Sequence, residues 1–181
     1  MAELTLEERL RTGHVHRWQI VNVHRQQTLA EHLYLVRVIT LEIAKVALFA
    51  DVDILLAEQW ALEHDVPEVV TGDLATPVKA AMREAIPHDD PVRRIELSIS
   101  QRYCDLYSVV KEKDHVRTLV KMADLIEAVN FLTEEAKGVH GNTVRKRLWD
   151  TLYRLVIDSN KKHPDYDWNA VYAVARKLTG A

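Results

Sequence analysis

Residues 28–49 read TLAEHLYLVRVITLEIAKVALF, and the periodicity of this stretch decides the fold class. Leu29, Leu33, Val36 and Ile43 fall on one stripe of a helix with a buried face. Thr28, followed by Glu31, is the capping-box pattern for its start, and the run extends to about Phe49. Similar punctuation recurs downstream. Asp53 is placed to cap a helix ending near Val66. Thr76-Pro77 opens a short helix, with proline at the first helical position. Asp90-Pro91 opens another that runs to about Lys111. Asp114 caps a helix that Gly138 stops. Asn142 or Thr143 begins a helix to about Asn160, and Asp167 begins a last one that closes before Gly180. With no strand alternation, repeat, linker or low-complexity tract, the expected fold is all-α, a single helical bundle over residues 1–181.

Composition narrows the function classes. A chain of 181 residues suits one domain that buries roughly 70% of its unfolded surface, so it needs no disulfides. The 24 basic and 27 acidic residues leave a net charge of −3, which is no footprint for nucleic-acid binding. A small anionic ligand remains compatible with a locally positive pocket. The single cysteine, Cys104, excludes an internal disulfide or a cysteine-rich zinc site and points to a reducing cytoplasm. MAELTLEERLRTGH has no basic start and no apolar run, so no signal peptide is expected. The apolar stretches are broken by charges, so no membrane span is expected either.

The chemistry shows in polar residues that stand where apolar ones belong. His32 lies on the stripe of the first long helix, and Asp124 lies between LVKMA and LIEAV on a face shared with Val120 and Ala128. A core carboxylate is costly unless it is paired or bound to a metal. Taken alone, His32 reads as a satisfied core histidine and Asp124 as half of a buried salt bridge. The pair His64-Asp65 changes that balance. A neutral imidazole and an adjacent carboxylate can both reach one ion. With His32 and Asp124 from two other helices they offer two nitrogens and two oxygens, a set suited to zinc, cobalt, manganese or nickel. Four residues after His64, Glu68 projects to the same side as a general acid or base, or else is a solvated acid. Asp73 follows Gly72 and serves either a turn or the site, there as support or beside a second ion such as magnesium. Lys79 is either a phosphate contact or an exposed helix lysine. In HRWQIV, Arg17 offers a fork for phosphate and Trp18 a flat face for a sugar or base. Ile20 shares a side with Trp18 if this stretch is extended. From physics alone, an ordinary amphipathic segment with Trp18 in the core is the simpler reading.

His32, His64-Asp65 and Asp124 resemble the metal signature of the HD-domain phosphohydrolases. EHDVPEVVTGDLATPVK, the Arg17-Trp18 pair and VKMADLIEA resemble the bacterial 5′-deoxynucleotidases. Chain length and RTGHVHRWQIV are most similar to the phage dATP triphosphohydrolases. The likeness runs from about Arg11 to Glu135. The segment from His88 to Asp114 departs from the bacterial enzymes, which points to the phage type. The resemblance implies an HD-domain bundle in which His32, His64, Asp65 and Asp124 hold the catalytic ion. It further implies that Glu68 handles the proton of the attacking water and Asp73 supports the site. Arg17 would grip phosphate, with Lys79 as a further contact. Trp18 would pack on the deoxyribose and exclude a 2′-hydroxyl, and Ile20 would line the base pocket. The expected substrate is a deoxynucleotide, dATP first, in a homo-oligomer, either dimer or hexamer. Three rivals stand beside this. They are a 5′-deoxynucleotidase confined to monophosphates, an HD enzyme for an alarmone or cyclic dinucleotide, and a metal-stabilised interaction module without turnover.

Overall fold

The computed structural model describes residues 3–180. It is all helical apart from turns and two isolated bridges, His16 with Thr28 and Val23 with Ala136. A short helix α1 (Leu6–Leu10) and a 3₁₀ turn (Arg11–Gly13) lead into an irregular loop. Then follow α2 (Leu29–Val46), α3 (Asp51–Glu63), the single turn α4 (Glu68–Thr71), α5 (Thr76–Ala85), α6 (Pro91–Ile99) and α7 (Gln101–Glu112). The chain ends with the long α8 (Asp114–Glu135), α9 (Gly138–Lys162) and α10 (Trp168–Thr179). Among the described residues, no helix is long and apolar enough to cross a membrane.

The expected bundle is present. Helices α2, α3 and α8 pack mutually at its centre, α9 lies along α8, and α10 closes against α2, α8 and α9. Val36 and Ile43 of α2 meet Leu119, Met122 and Ile126 of α8, with Leu152 and Trp168 behind them, all with essentially no exposure. Burying a side chain of this size contributes about 1.5–3 kcal/mol, so this apolar face dominates the stability.

Several helix limits differ from the sequence expectation, each for a local reason. Helix α2 stops at Val46, because Leu48 adopts the left-handed conformation at φ 63°. The amide of Phe49 then bonds the Ala44 carbonyl and that of Leu48 bonds the Lys45 carbonyl, a Schellman ending without glycine. Thr28 caps α2 through Glu31 N–H, but the Glu31 carboxylate goes to Arg25 rather than completing the box. A complete box does occur at Thr5 and Glu8, opening α1, which was not expected. The helix expected from Asp90 to Lys111 is two, since Ser100 is extended and caps α7. Gly138 does not stop α8, which ends at Glu135; it opens α9, four residues ahead of the expected start.

Asp114 lies inside the first turn of α8 and bonds Arg117, Lys162 and His163. Asp53 is likewise no cap. Helix α3 begins two residues before it, and its buried carboxylate pairs with Lys113 and His115 of the α7–α8 corner. Burial opposes the Asp53 charge, yet these two hydrogen bonds outweigh it and hold its pKa below the ordinary value. A depressed carboxylate stabilises the fold above its unfolded pKa, about 3.9, and that contribution fades as pH falls through the folded value. Asp53→Asn is therefore expected to cost about 1–2 kcal/mol at pH 7, roughly 3–6 °C in Tm. The difference from wild type should close below pH 4, as read by thermal melts across pH.

The loop over residues 14–28 positions the site. Its ends are tied to each other by Arg17 N–H to Gln27 O and Leu29 N–H to Val15 O. Its middle is tied to the α8–α9 junction by His24 N–H to Glu135 O and Lys137 N–H to Asn22 O. Gly141 lets the junction close: a Cβ there would lie 2.9 Å from that of Ala136.

Candidate active site

Three helices and the loop converge. His32 stands near the start of α2, His64 caps the end of α3 with Asp65 just beyond, and Asp124 lies midway along α8. His32 is fully buried, and its Nδ1 lies 2.7 Å from Oε2 of Glu127. The Nδ1 of His64 lies 2.9 Å from the Ala61 carbonyl oxygen. A carbonyl only accepts, so the His64 proton is assigned to Nδ1, and the same tautomer lets His32 donate to the Glu127 carboxylate. Each ring then turns an Nε2 lone pair inward, and neither Nε2 has a hydrogen-bond partner. Donor atoms of His32, His64 and Asp124 all lie within 4.8 Å of one another. Oδ2 of Asp65 is 3.4 Å from His64 Nε2 and 3.7 Å from His32 Nε2. Two buried orphan nitrogens facing two carboxylates fit a divalent ion of the zinc type.

Charge at the site is sharply divided. Burial, only partly offset by Asp65 and Asp124, keeps the His64 pKa low, so the ring is a neutral donor. At His32, burial and Arg17 oppose protonation, but the nearby Asp65 carboxylate and the hydrogen bond with Glu127 outweigh them and raise its pKa. Asp65 is held well below the carboxylate range: burial works against its charge, and His64, His32 and Arg17 prevail. Asp124 is lowered too, with Lys121 one turn earlier as its strongest partner at 2.7 Å. Glu68 goes the other way. Burial first, then the Asp65 charge, push its pKa well above the ordinary value, despite a 3.1 Å contact with Lys79. Its Oε2 is buried without a partner. Carboxyl groups driven in opposite directions give the site one group that favours its charge and one that favours its proton.

A cavity of about 900 Å³ opens onto this cluster, within the range of small-molecule sites. Arg17 lines it, with Nη1 3.8 Å from Asp65 and Nη2 3.9 Å from Asp124, and its Nε and Nη1 make no hydrogen bond. Trp18, Ile20, Asp73 and Lys79 all line the cavity. Trp18 and Ile20 do so from a turn rather than an extended segment, with Trp18 at φ 66° and Val21 N–H bonded to Trp18 O. Trp18 is thus at the cavity wall and not in the core, where it stacks on Phe131 with centroids 5.7 Å apart. The face shared by Val120, Asp124 and Ala128 also turns to the cavity. Lys79 is occupied by Glu68 rather than free.

Sequence reading missed Gln27 and Glu127, both buried beside His32. Glu127 carried the same signal as Asp124, a carboxylate in an apolar run; Gln27 carried none.

Residues 6–156 match the family described as 5′-deoxynucleotidase YfbR-like. The chain belongs to this family. Its members are HD-domain phosphohydrolases, and so is this chain. A curated relative, the dATP triphosphohydrolase of Cyanophage S-2L, is 31% identical over 84% of the chain and 83% of its own length. The dATP triphosphohydrolase of Acinetobacter phage SH-Ab 15497 is 26% identical over 96% of the chain and 90% of its own length. A 5′-deoxynucleotidase of Shewanella oneidensis is 27% identical over 74% and 76%, respectively. Among solved structures, the Cyanophage S-2L HD phosphohydrolase (DatZ), bound to dA and one catalytic Zn²⁺ ion, superposes with a TM-score of 0.84. It is 27% identical, and 99% of each chain is covered.

Proposed function

We propose that this YfbR-like protein hydrolyses dATP to deoxyadenosine and triphosphate, with a divalent ion, zinc foremost, held by His32, His64, Asp65 and Asp124. The observation that carries this is the pair of buried imidazoles with unpartnered Nε2 atoms facing two ionised carboxylates at the floor of a cavity. The names of the phage relatives and the dA and zinc in the similar structure support the choice of substrate and ion. Such an ion supplies activated water and polarises a phosphoryl oxygen.

The chain's own groups do the rest. Arg17, which lines the cavity, directs its guanidinium at the α-phosphate and offsets the charge that builds there. Water oxygen bonds to the α-phosphorus as the P–O5′ bond breaks. Glu68, whose raised pKa favours the protonated form, gives its proton to O5′ and then accepts one from the attacking water. Lys79 steadies Glu68 at 3.1 Å, and Asp73 raises its pKa further. Trp18 forms a wall that excludes a ribose 2′-hydroxyl, and Ile20 borders the base. The family description and the Shewanella relative favour a second reading, release of phosphate from deoxynucleoside monophosphates. A panel of deoxy- and ribonucleotides with added zinc or cobalt separates the two. Triphosphate as product selects the first reading, phosphate from dAMP with dATP inert selects the second, and no turnover of any nucleotide refutes both.

Zinc at one hundred times its Kd should add about 2.7 kcal/mol of stability, roughly 5–10 °C in Tm, and a chelator should reverse the gain. An unmoved melting curve would remove the ion from the proposal. Exposed apolar residues such as Val52 and Leu55 on α3 fit assembly as a dimer or hexamer, and the lone free cysteine fits the cytoplasm.

A further inference from the structure

Three hydrogen bonds, one part-buried and two buried, join the cavity wall to the candidate metal ligand. Trp18 Nε1 donates to Gln27 Oε1 at 3.0 Å, Gln27 Nε2 donates to Glu127 Oε1 at 2.5 Å, and Glu127 Oε2 accepts from His32 Nδ1 at 2.7 Å. Gln27 and His32 have no exposed surface and Glu127 only 2%. Neither Gln27 nor Glu127 lines the cavity, so neither touches a substrate there.

The polarity of this relay is set from its indole end. The indole nitrogen can only donate, so Gln27 must turn its oxygen toward Trp18 and its amide nitrogen toward Glu127. Glu127 Oε1 therefore accepts from Gln27, and as a carboxylate Glu127 accepts at Oε2 as well, from His32. His32 must then carry its proton on Nδ1, which leaves the Nε2 lone pair for an ion. At the other end, the same bonds and the stacked Phe131 ring hold Trp18 in a left-handed backbone conformation uncommon for a bulky residue.

We propose that Gln27 and Glu127 are positioning residues that set the His32 tautomer and the Trp18 ring through one relay, so that holding the ion and selecting a deoxyribose are coupled. This rests on the reading of His32 as a ligand and Trp18 as the sugar wall.

Glu127→Gln tests it. A carboxamide facing His32 with its nitrogen forces the proton to Nε2 and blocks the ligand. Facing His32 with its oxygen, it forces Gln27 to flip and opposes two donors at Trp18. Either way one joint fails. Zinc titration against a competing chelator should give a Kd 10–100-fold weaker, or the dATP-to-ATP ratio of kcat/KM at saturating zinc should fall at least tenfold. Adding Gln27→Glu reverses the middle bond and restores every donor–acceptor pair, so the double variant should recover both quantities to within a few-fold. A folded Glu127→Gln with wild-type zinc affinity and wild-type discrimination overturns the relay, as does a folded double variant no better than the single.

Circular dichroism reports folding. Should the buried variants not fold, Trp18→Phe keeps an aromatic ring at the cavity wall and removes the donor together with part of the indole. It should weaken zinc binding severalfold, and unchanged affinity overturns the coupling. Wild-type protein that binds no zinc or turns over no nucleotide instead sinks the proposed function beneath it.

Discussion

Asp65→Ala is expected to lower kcat/KM for dATP by at least about a thousandfold, the equivalent of roughly 4 kcal/mol of transition-state stabilisation. Asp65 is the carboxylate shared by the whole cluster. Its Oδ2 lies 3.4 Å from one unpartnered imidazole nitrogen, 3.7 Å from the other and 3.8 Å from Arg17. Alanine leaves His32, His64 and Asp124 as three donors, so zinc should still bind, but more weakly. The Arg17 guanidinium also loses one of its two countercharges and can swing toward Asp124. Steady-state kinetics at saturating zinc, together with a zinc titration, separate lost affinity from lost chemistry. Near wild-type turnover would take Asp65 out of the ion's surroundings.

Glu68→Gln is the second large effect, a loss of 10²–10⁴-fold in kcat at neutral pH. The amide matches the carboxyl in shape and can still bond Lys79, but it cannot pass a proton to O5′. In wild type, activity should fall as pH rises through the Glu68 pKa, which burial and Asp65 place well above the ordinary value. In the variant that limb should vanish. Stability should move the opposite way. A carboxyl whose folded pKa is raised stabilises the fold below its unfolded value, and that contribution is lost as pH climbs through the folded one. Metal-free Glu68→Gln should therefore melt above wild type on the alkaline side and level with it in acid. A variant that keeps kcat, or melts lower throughout, contradicts the assignment of Glu68 as the proton carrier.

What was legible depended on how a residue broke its local pattern. His32 and Asp124 stood out because each interrupts an apolar stripe, and His64-Asp65 because two ligand types sit together at a helix end. Glu127 broke the pattern as plainly as Asp124, three residues earlier, but one turn of helix does not say which carboxylate faces a cavity. Here Asp124 meets the cavity and Glu127 is turned inward to His32. Gln27 was unreadable, since its partner Glu127 lies 100 residues away and nothing local to a glutamine announces it. Helix limits failed where the backbone departed from glycine rules. Leu48 ends a helix in a conformation usually left to glycine, and Gly138 opens one where glycine usually stops.

The amino-acid order alone determined that this chain is a helical bundle, because hydrophobic periodicity and capping are contained within a few turns of backbone. It also determined which four side chains are candidates for an ion, because a histidine or aspartate in an apolar stripe must be compensated somewhere. Only the packing of α2, α3 and α8 decided that these compensations meet at one point, and that Glu68 is driven to hold a proton while Asp65 is driven to lose one. Burial and the charges of neighbours brought in from distant segments set those two pKa values apart, and no window of sequence contains both.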